Sequence, residues 1–122
     1  MIIDAHMHIW DHVAGQVGGE TPVQGVGDGQ VRIGDQLVQG MPAYMHDCAA
    51  RAEHFVAEMD AAGVDQGIVV QEFVDGAQNE YCQQAMAAYP QRLLCLALVN
   101  WWEPGAVEDE VETLFASDAR FS

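Results

Sequence analysis

Lysine is absent from this 122-residue chain, and its four basic residues, Arg32, Arg51, Arg92 and Arg120, lie far apart. Against nineteen acidic residues they leave a formal charge of −15. Such a surface repels polyanions, which sets nucleic acid and anionic membranes aside as partners. Acidity without lysine has two readings, adaptation to high salt or a solvating surface from a source with biased codon usage. Cys-x-x-Cys spacing is also missing: Cys48, Cys82 and Cys95 are odd in number and sit among apolar neighbours. They read as reduced packing residues. No run of about 18 apolar residues occurs, and Met1-Ile2-Ile3-Asp4 has neither a basic n-region nor a long apolar h-region. No membrane segment is expected, and the cytoplasm is the default location.

Half of the residues are hydrophobic, enough to build the core of one modest domain. Ile2 to His8 reads as a short buried strand on which Asp4, His6 and His8 share one face by the period of two. From Asp11 to Gly40 glycine, glutamine and valine dominate, and Gly15, Gly18, Gly19, Gly25, Gly27 and Gly29 predict a loop rather than a core segment. Within it, residues 30–33 and 36–39 flank Gly34-Asp35, where glycine at the first central position suits a type II′ hairpin turn. The loop and hairpin together form an expected insertion over residues 11–45.

From Asp47 the period turns helical, with Cys48, Ala52, Phe55, Val56, Met59 and Ala62 on one stripe, Asp47 as N-cap and Gly63 past the end. Residues 66–71 form an apolar run that fits a strand buried on both faces. Gln78 to Tyr89 repeats helical spacing through Cys82, Ala85, Met86 and Tyr89, and Pro90 stops it. Leu93 to Val99 is a further buried strand. Pro104 opens a third helix with Glu108, Asp109 and Glu110 in its first turns and Val107, Val111, Leu114 and Phe115 inward. Strands alternating with amphipathic helices predict a parallel sheet with right-handed crossovers.

His6-Met7-His8 is the pattern that carries chemistry, because residues two apart on a strand present two imidazoles to one ion. Hydrolytic zinc sites usually have three protein ligands and an open position for water, so a further ligand must come from elsewhere. The motif sits in Ile2-Ile3-Asp4-Ala5-His6-Met7-His8-Ile9-Trp10-Asp11. Further landmarks are Met41-Pro42 beside the hairpin, residues 59–65 (MDAAGVD), Gln78-Asn79-Glu80-Tyr81 and Tyr89-Pro90-Gln91-Arg92. With these residues the chain resembles the amidohydrolase superfamily. The likeness is to its amidohydrolase-related group of small metal-dependent hydrolases, lactonases and decarboxylases of the aminocarboxymuconate-semialdehyde type.

The resemblance implies an α/β fold, the first three βα units of a TIM-type (β/α)₈ barrel with the hairpin insertion after strand 1. It spans the whole chain but less than half of such a protein, since a closed barrel needs about 250 residues. It implies that His6 and His8 bind a divalent metal, zinc foremost, with manganese or iron as alternatives. The family's other ligands and its late aspartate come from the fifth, sixth and eighth strands, so no catalytic residue is assigned here. The expectation is the N-terminal fragment of an enzyme that hydrolyses an amide, ester or lactone, or decarboxylates its substrate, and that is inactive alone. Its partner in the complete enzyme is a small-molecule substrate.

Asp4 either orients an imidazole or makes a structural hydrogen bond. Asp11 and His12 are weaker ligand candidates because they begin the insertion, and His46 and His54 read as solvated. Glu72 and Phe73 after the second barrel strand, and Asn100, Trp101 and Trp102 after the third, are expected at the pocket rim. The tryptophans fit plain packing equally well. The insertion reads either as a lid or as a disordered loop. A different class of function stands beside the enzyme: a non-catalytic α/β module, homo-oligomeric through open sheet edges, with structural histidines.

Overall fold

Short apolar runs separated by amphipathic helices can bury both kinds of element only by stacking the helices on a sheet, and the chain does this. The computed structural model describes residues 1–101 and 105–117. In chain order the elements are β1 (Ile3–Met7), β2 (Ala14–Val17), β3 (Thr21–Gly27), β4 (Gln30–Ile33) and β5 (Gln36–Gln39). Then come α1 (Ala52–Ala62), β6 (Gln66–Val69), α2 (Asn79–Ala88), β7 (Leu93–Cys95) and α3 (Ala106–Ser117). The strands β1, β6 and β7 form a three-stranded sheet in that spatial order, with both pairings parallel. The expected parallel pairing of these strands is therefore present.

One face of this sheet is closed. Met7, Ile9, Val69, Leu93 and Cys95 pack with Ala52, Val56 and Met59 of α1 and Cys82, Ala85 and Met86 of α2. Full burial of a side chain such as Met86 contributes about 1.5–3 kcal/mol. The opposite face is not closed: Ile68 pairs with Leu94, which is 38% exposed. This corrects the reading of strands buried on both faces. Ile3 is 45% exposed for a related reason, since β1 is an edge strand.

The segment read as a loop is instead a four-stranded antiparallel sheet in the order β2-β3-β4-β5. Its glycines make turns rather than disorder. The β4–β5 hairpin forms as expected, with Gly34 at φ 56° and Asp35 outside the positive-φ region, as a type II′ turn requires. The β3–β4 connection was not anticipated. There Asp28 (φ 51°) and Gly29 (φ 72°) are both left-handed, the signature of a type I′ turn. Val13, Val23, Val31 and Cys48 form a second buried cluster under this sheet.

Cys48 thereby leaves the α1 stripe on which its spacing had placed it. Asp47 is not the N-cap either: the capping position is Arg51, without a side-chain cap bond. The Asp47 carboxylate accepts from the Ala49 amide at 3.1 Å and pairs with Arg51 at 2.6 Å. Those bonds hold the carboxylate below its usual range, the Arg51 contact contributing most. Gly63 ends α1 in the left-handed conformation, as expected. The strands β6 and β7 are shorter than the apolar runs predict, ending at Val69 and Cys95. On α3, Leu114 packs against the main core while Phe115 is 47% exposed rather than inward. Pro104, Trp102 and Arg120 lie outside the described residues.

All three cysteines are free and buried, as packing residues should be. Hydrogen bonding with Cys95, reinforced by burial, pushes the Cys82 thiol far up, so it stays protonated.

Candidate metal centre

His6 lies within β1 and His8 directly follows it, at the C-terminal end of the parallel sheet. Between Asp4 and Met7 the register shifts: those residues pair with Gly67 and Val69, so β1 carries one extra residue there. A bulge of this kind breaks strict alternation. It undoes the argument that put Asp4 on the histidine face. The Asp4 carboxylate accepts the His6 backbone amide at 3.0 Å, a structural bond.

The two imidazoles still meet, in an edge-to-face arrangement with ring centroids 4.9 Å apart. His8 is fixed by the neighbouring strand, its Nδ1 lying 2.8 Å from the carbonyl oxygen of Val70. A carbonyl can only accept, so Nδ1 is the donor, and in the neutral ring the lone pair then sits on Nε2. That is the tautomer and anchoring found in metal-ligating histidines.

A third donor enters from the loop after β6. The Glu72 Oε1 atom stands 3.8 Å from His8 Nε2, and one ligand atom from each of His6, His8 and Glu72 lies within 4.8 Å of the others. Zinc–ligand bonds of about 2.0–2.1 Å put two donors on a tetrahedral ion about 3.4 Å apart. The His8–Glu72 spacing is slightly wider, and Glu72, 53% exposed, has room to close it. Two neutral nitrogens and a carboxylate are a donor set that zinc, manganese and iron accept. The residues present fit a divalent ion.

The loop holding Glu72 is tied on two sides. Gln71 donates through Nε2 to Asn79 Oδ1 and to the Leu96 carbonyl, both at 2.8 Å, and accepts the Gln78 amide at 2.6 Å. On the other side β2 lies along it, with the Ala14 amide bonded to the Asp75 carbonyl (3.0 Å) and the Gln16 amide to the Phe73 carbonyl (2.7 Å). Half-buried Asp75 completes the surroundings. Its carboxyl is raised by burial first and by the Glu72 charge second, with His8 opposing.

The other candidates fall elsewhere. His12 pairs with its neighbour Asp11, His46 pairs with Asp28 at 2.6 Å, and both are exposed, as is His54. Trp101 stacks on Phe73 with parallel rings 6.0 Å apart, and the Asn100 amide donates to Glu110 at 2.7 Å. Glu72 was read only as a rim residue. Its position beyond a strand end was the sole signal available, and proximity to His8 is a long-range fact that spacing does not carry.

No curated protein matches the sequence. Among solved structures, the chain is similar to a probable 2-pyrone-4,6-dicarboxylic acid hydrolase from Acinetobacter baumannii with citric acid bound. The two share 21% identity at a TM-score of 0.52, over 94% of this chain and 34% of that one. The chain thus spans about a third of that protein's length. No helix among the described residues is long and apolar enough to cross a membrane. The model of the family described as Amidohydrolase matches residues 3–119, nearly the whole sequence, and on that match the chain belongs to the amidohydrolase family.

Proposed function

We propose that this chain is the part of an amidohydrolase-family hydrolase that carries the first-strand metal ligands, with His6 and His8 holding a divalent ion, zinc foremost. The observation that carries the reading is the convergence of both imidazoles, one with its tautomer set by Val70, at the C-terminal end of a parallel sheet. When bound, such an ion supplies Lewis acidity to water and to a substrate carbonyl. His8 contributes an oriented nitrogen lone pair, and the Val70 carbonyl holds the ring against rotation. Active sites of (β/α)₈ barrels gather at this end of their strands.

In the finer form of the proposal, β1, β6 and β7 with their helices are the first three βα units of such a barrel, and residues 11–45 are an insertion after its first strand. The uncovered Ile68–Leu94 face supports this, since a closed barrel would fill it with side chains from further strands. The remaining ligands and the proton-transfer carboxylate then come from polypeptide beyond these residues. The substrate is a small molecule with an amide, ester or lactone carbonyl. Hydrolysis is favoured over decarboxylation because the Acinetobacter protein is named for a hydrolysis.

The test is an assay of the 122-residue chain, with zinc or manganese added, on ester, lactone and carboxylated substrates. No turnover above background is expected, because general acid–base help worth about 10²–10⁴ in rate is not in place. A polypeptide extended by whatever its reading frame encodes downstream should show metal-dependent turnover that His6→Ala abolishes. Metal-dependent turnover by the 122 residues alone would overturn the division of ligands. The alternative of a non-catalytic module gains if neither polypeptide binds metal and the exposed sheet edges pair in solution.

A further inference from the structure

We infer that Glu72 is the third ligand of the metal centre, and that the antiparallel sheet, through the edge of β2, is the device that holds it there. The inference rests on the reading that His6 and His8 bind a divalent ion. It goes further by making the centre a three-donor site from the end of β1 and the loop after β6, which lie far apart in sequence.

Glu72 has a geometric reason to be a ligand. Its Oε1 lies 3.8 Å from the one His8 nitrogen whose lone pair is free, because the other nitrogen is occupied by Val70. Val70 and Glu72 flank Gln71, whose side chain bonds to Asn79 and to the Leu96 and Gln78 backbones. One short segment therefore both sets the His8 tautomer and delivers the carboxylate.

The backing from β2 is equally specific. The amides of Ala14 and Gln16 pair with the Asp75 and Phe73 carbonyls, extending the antiparallel ladder onto the loop. The approach is close enough to demand glycine on both sides. A Cβ on Gly15 would fall 2.0 Å from the Phe73 oxygen, and one on Gly76 would fall 2.5 Å from the Ala14 oxygen. Gln78, buried, then ties the same loop to the Asp11 amide and the His12 carbonyl. Phe73 adjoins Glu72 in the chain, so the ladder pins the carboxylate's own neighbour.

Two measurements on the 122-residue chain test this. The first is titration with Co(II), read by its visible absorption, and with Zn(II), read by calorimetry, for the native chain, Glu72→Gln and His6→Ala. Glu72 is exposed, so its replacement should leave the fold intact. Expected are a Co(II) spectrum altered by Glu72→Gln, affinity at least about tenfold weaker, and binding lost in His6→Ala. Binding that His6→Ala abolishes and Glu72→Gln leaves unchanged would overturn the inference while sparing the two-histidine reading. No binding by the native chain would remove both.

The second measurement is amide hydrogen exchange at Ala14 and Gln16. Anything that binds only the clamped loop must stabilise the clamp by the same linkage. Saturating Zn(II) should therefore slow exchange at these two amides in the native chain and not in Glu72→Gln. Exchange that is indifferent to metal in a chain that binds it would show that β2 plays no part in positioning the ligand.

Discussion

The side-chain amide of Gln78 donates to the backbone carbonyl of His12 at 3.0 Å, joining the start of α2 to the segment that follows β1. Gln78 is 3% exposed, and its Nε2 also donates to the Asp75 carbonyl at 3.1 Å while its Oε1 accepts the Asp11 amide at 3.3 Å. One amide thus satisfies three backbone groups. Replacement by leucine strands the Asp11 amide and the His12 carbonyl, while the Asp75 carbonyl keeps its bond from Ala14, and the expected cost is about 1–3 kcal/mol in a denaturant titration. Glu in the same place keeps the acceptor but loses both donors, so Gln78→Glu should also destabilise at neutral pH. An unchanged midpoint in both variants would mean that water serves these groups as well as Gln78 does.

Asp75 gives a pH signature. Its carboxyl is raised above the ordinary 3.8 by burial and by Glu72, so the folded state holds a proton more tightly than the unfolded one. That contribution to stability is fully present below 3.8 and is lost as pH rises through the higher folded value. Asp75→Asn removes the burden of ionisation, and the variant should be more stable than the native chain at pH 7. The difference should shrink as pH falls toward 4, as followed by urea unfolding at a series of pH values. A difference independent of pH would assign the effect to packing instead.

The cysteines should be silent in the native protein. Cys48, Cys82 and Cys95 are buried, and Cys82 is held protonated by its contact with Cys95 and by burial. Alkylation at neutral pH is expected to be slow for all three and to become fast together in denaturant, since the thiolate is the reactive form. Mass spectrometry after a timed pulse of iodoacetamide reads this directly, and one fast-reacting thiol in native buffer would contradict it.

Leu94 stands on the uncovered sheet face, 38% exposed and paired in register with Ile68. Among the described residues, β1 and β7 are the edge strands of this sheet. The 122-residue chain alone should therefore associate as concentration rises. Leu94→Glu, which adds a charge to that face, should shift sedimentation toward monomer. Association that Leu94→Glu leaves unchanged would place the contact on another surface.

Much of this was legible locally. The helical stripe through Ala52, Val56 and Met59, the Gly63 stop and the apolar runs at β6 and β7 follow from side-chain period and capping, which act over a few residues. So does the spacing of His6 and His8, since a strand puts two residues of like parity on one side. The second sheet was hidden because its apolar signal is thin: Val13, Val23 and Val31 are separated by glycines that looked like breaks and are turns and close approaches. Cys48 and Asp47 continued the α1 pattern on paper. The second cluster claimed the cysteine, and Ala49 and Arg51 claimed the carboxylate, because burial and ion pairing outweigh propensity at a helix end.

The sequence by itself determined that parallel strands would alternate with helices and that two imidazoles would emerge together from the first strand. Only the tertiary structure decided what they meet. The Val70 carbonyl that sets the His8 tautomer is 62 positions away, and Glu72 arrives beside it through the β1–β6 pairing. Periodicity constrains which way a side chain points along its own strand. The choice of neighbour across the sheet is made by register and by the loops that β2 and Gln78 hold in place, and no local pattern encodes those.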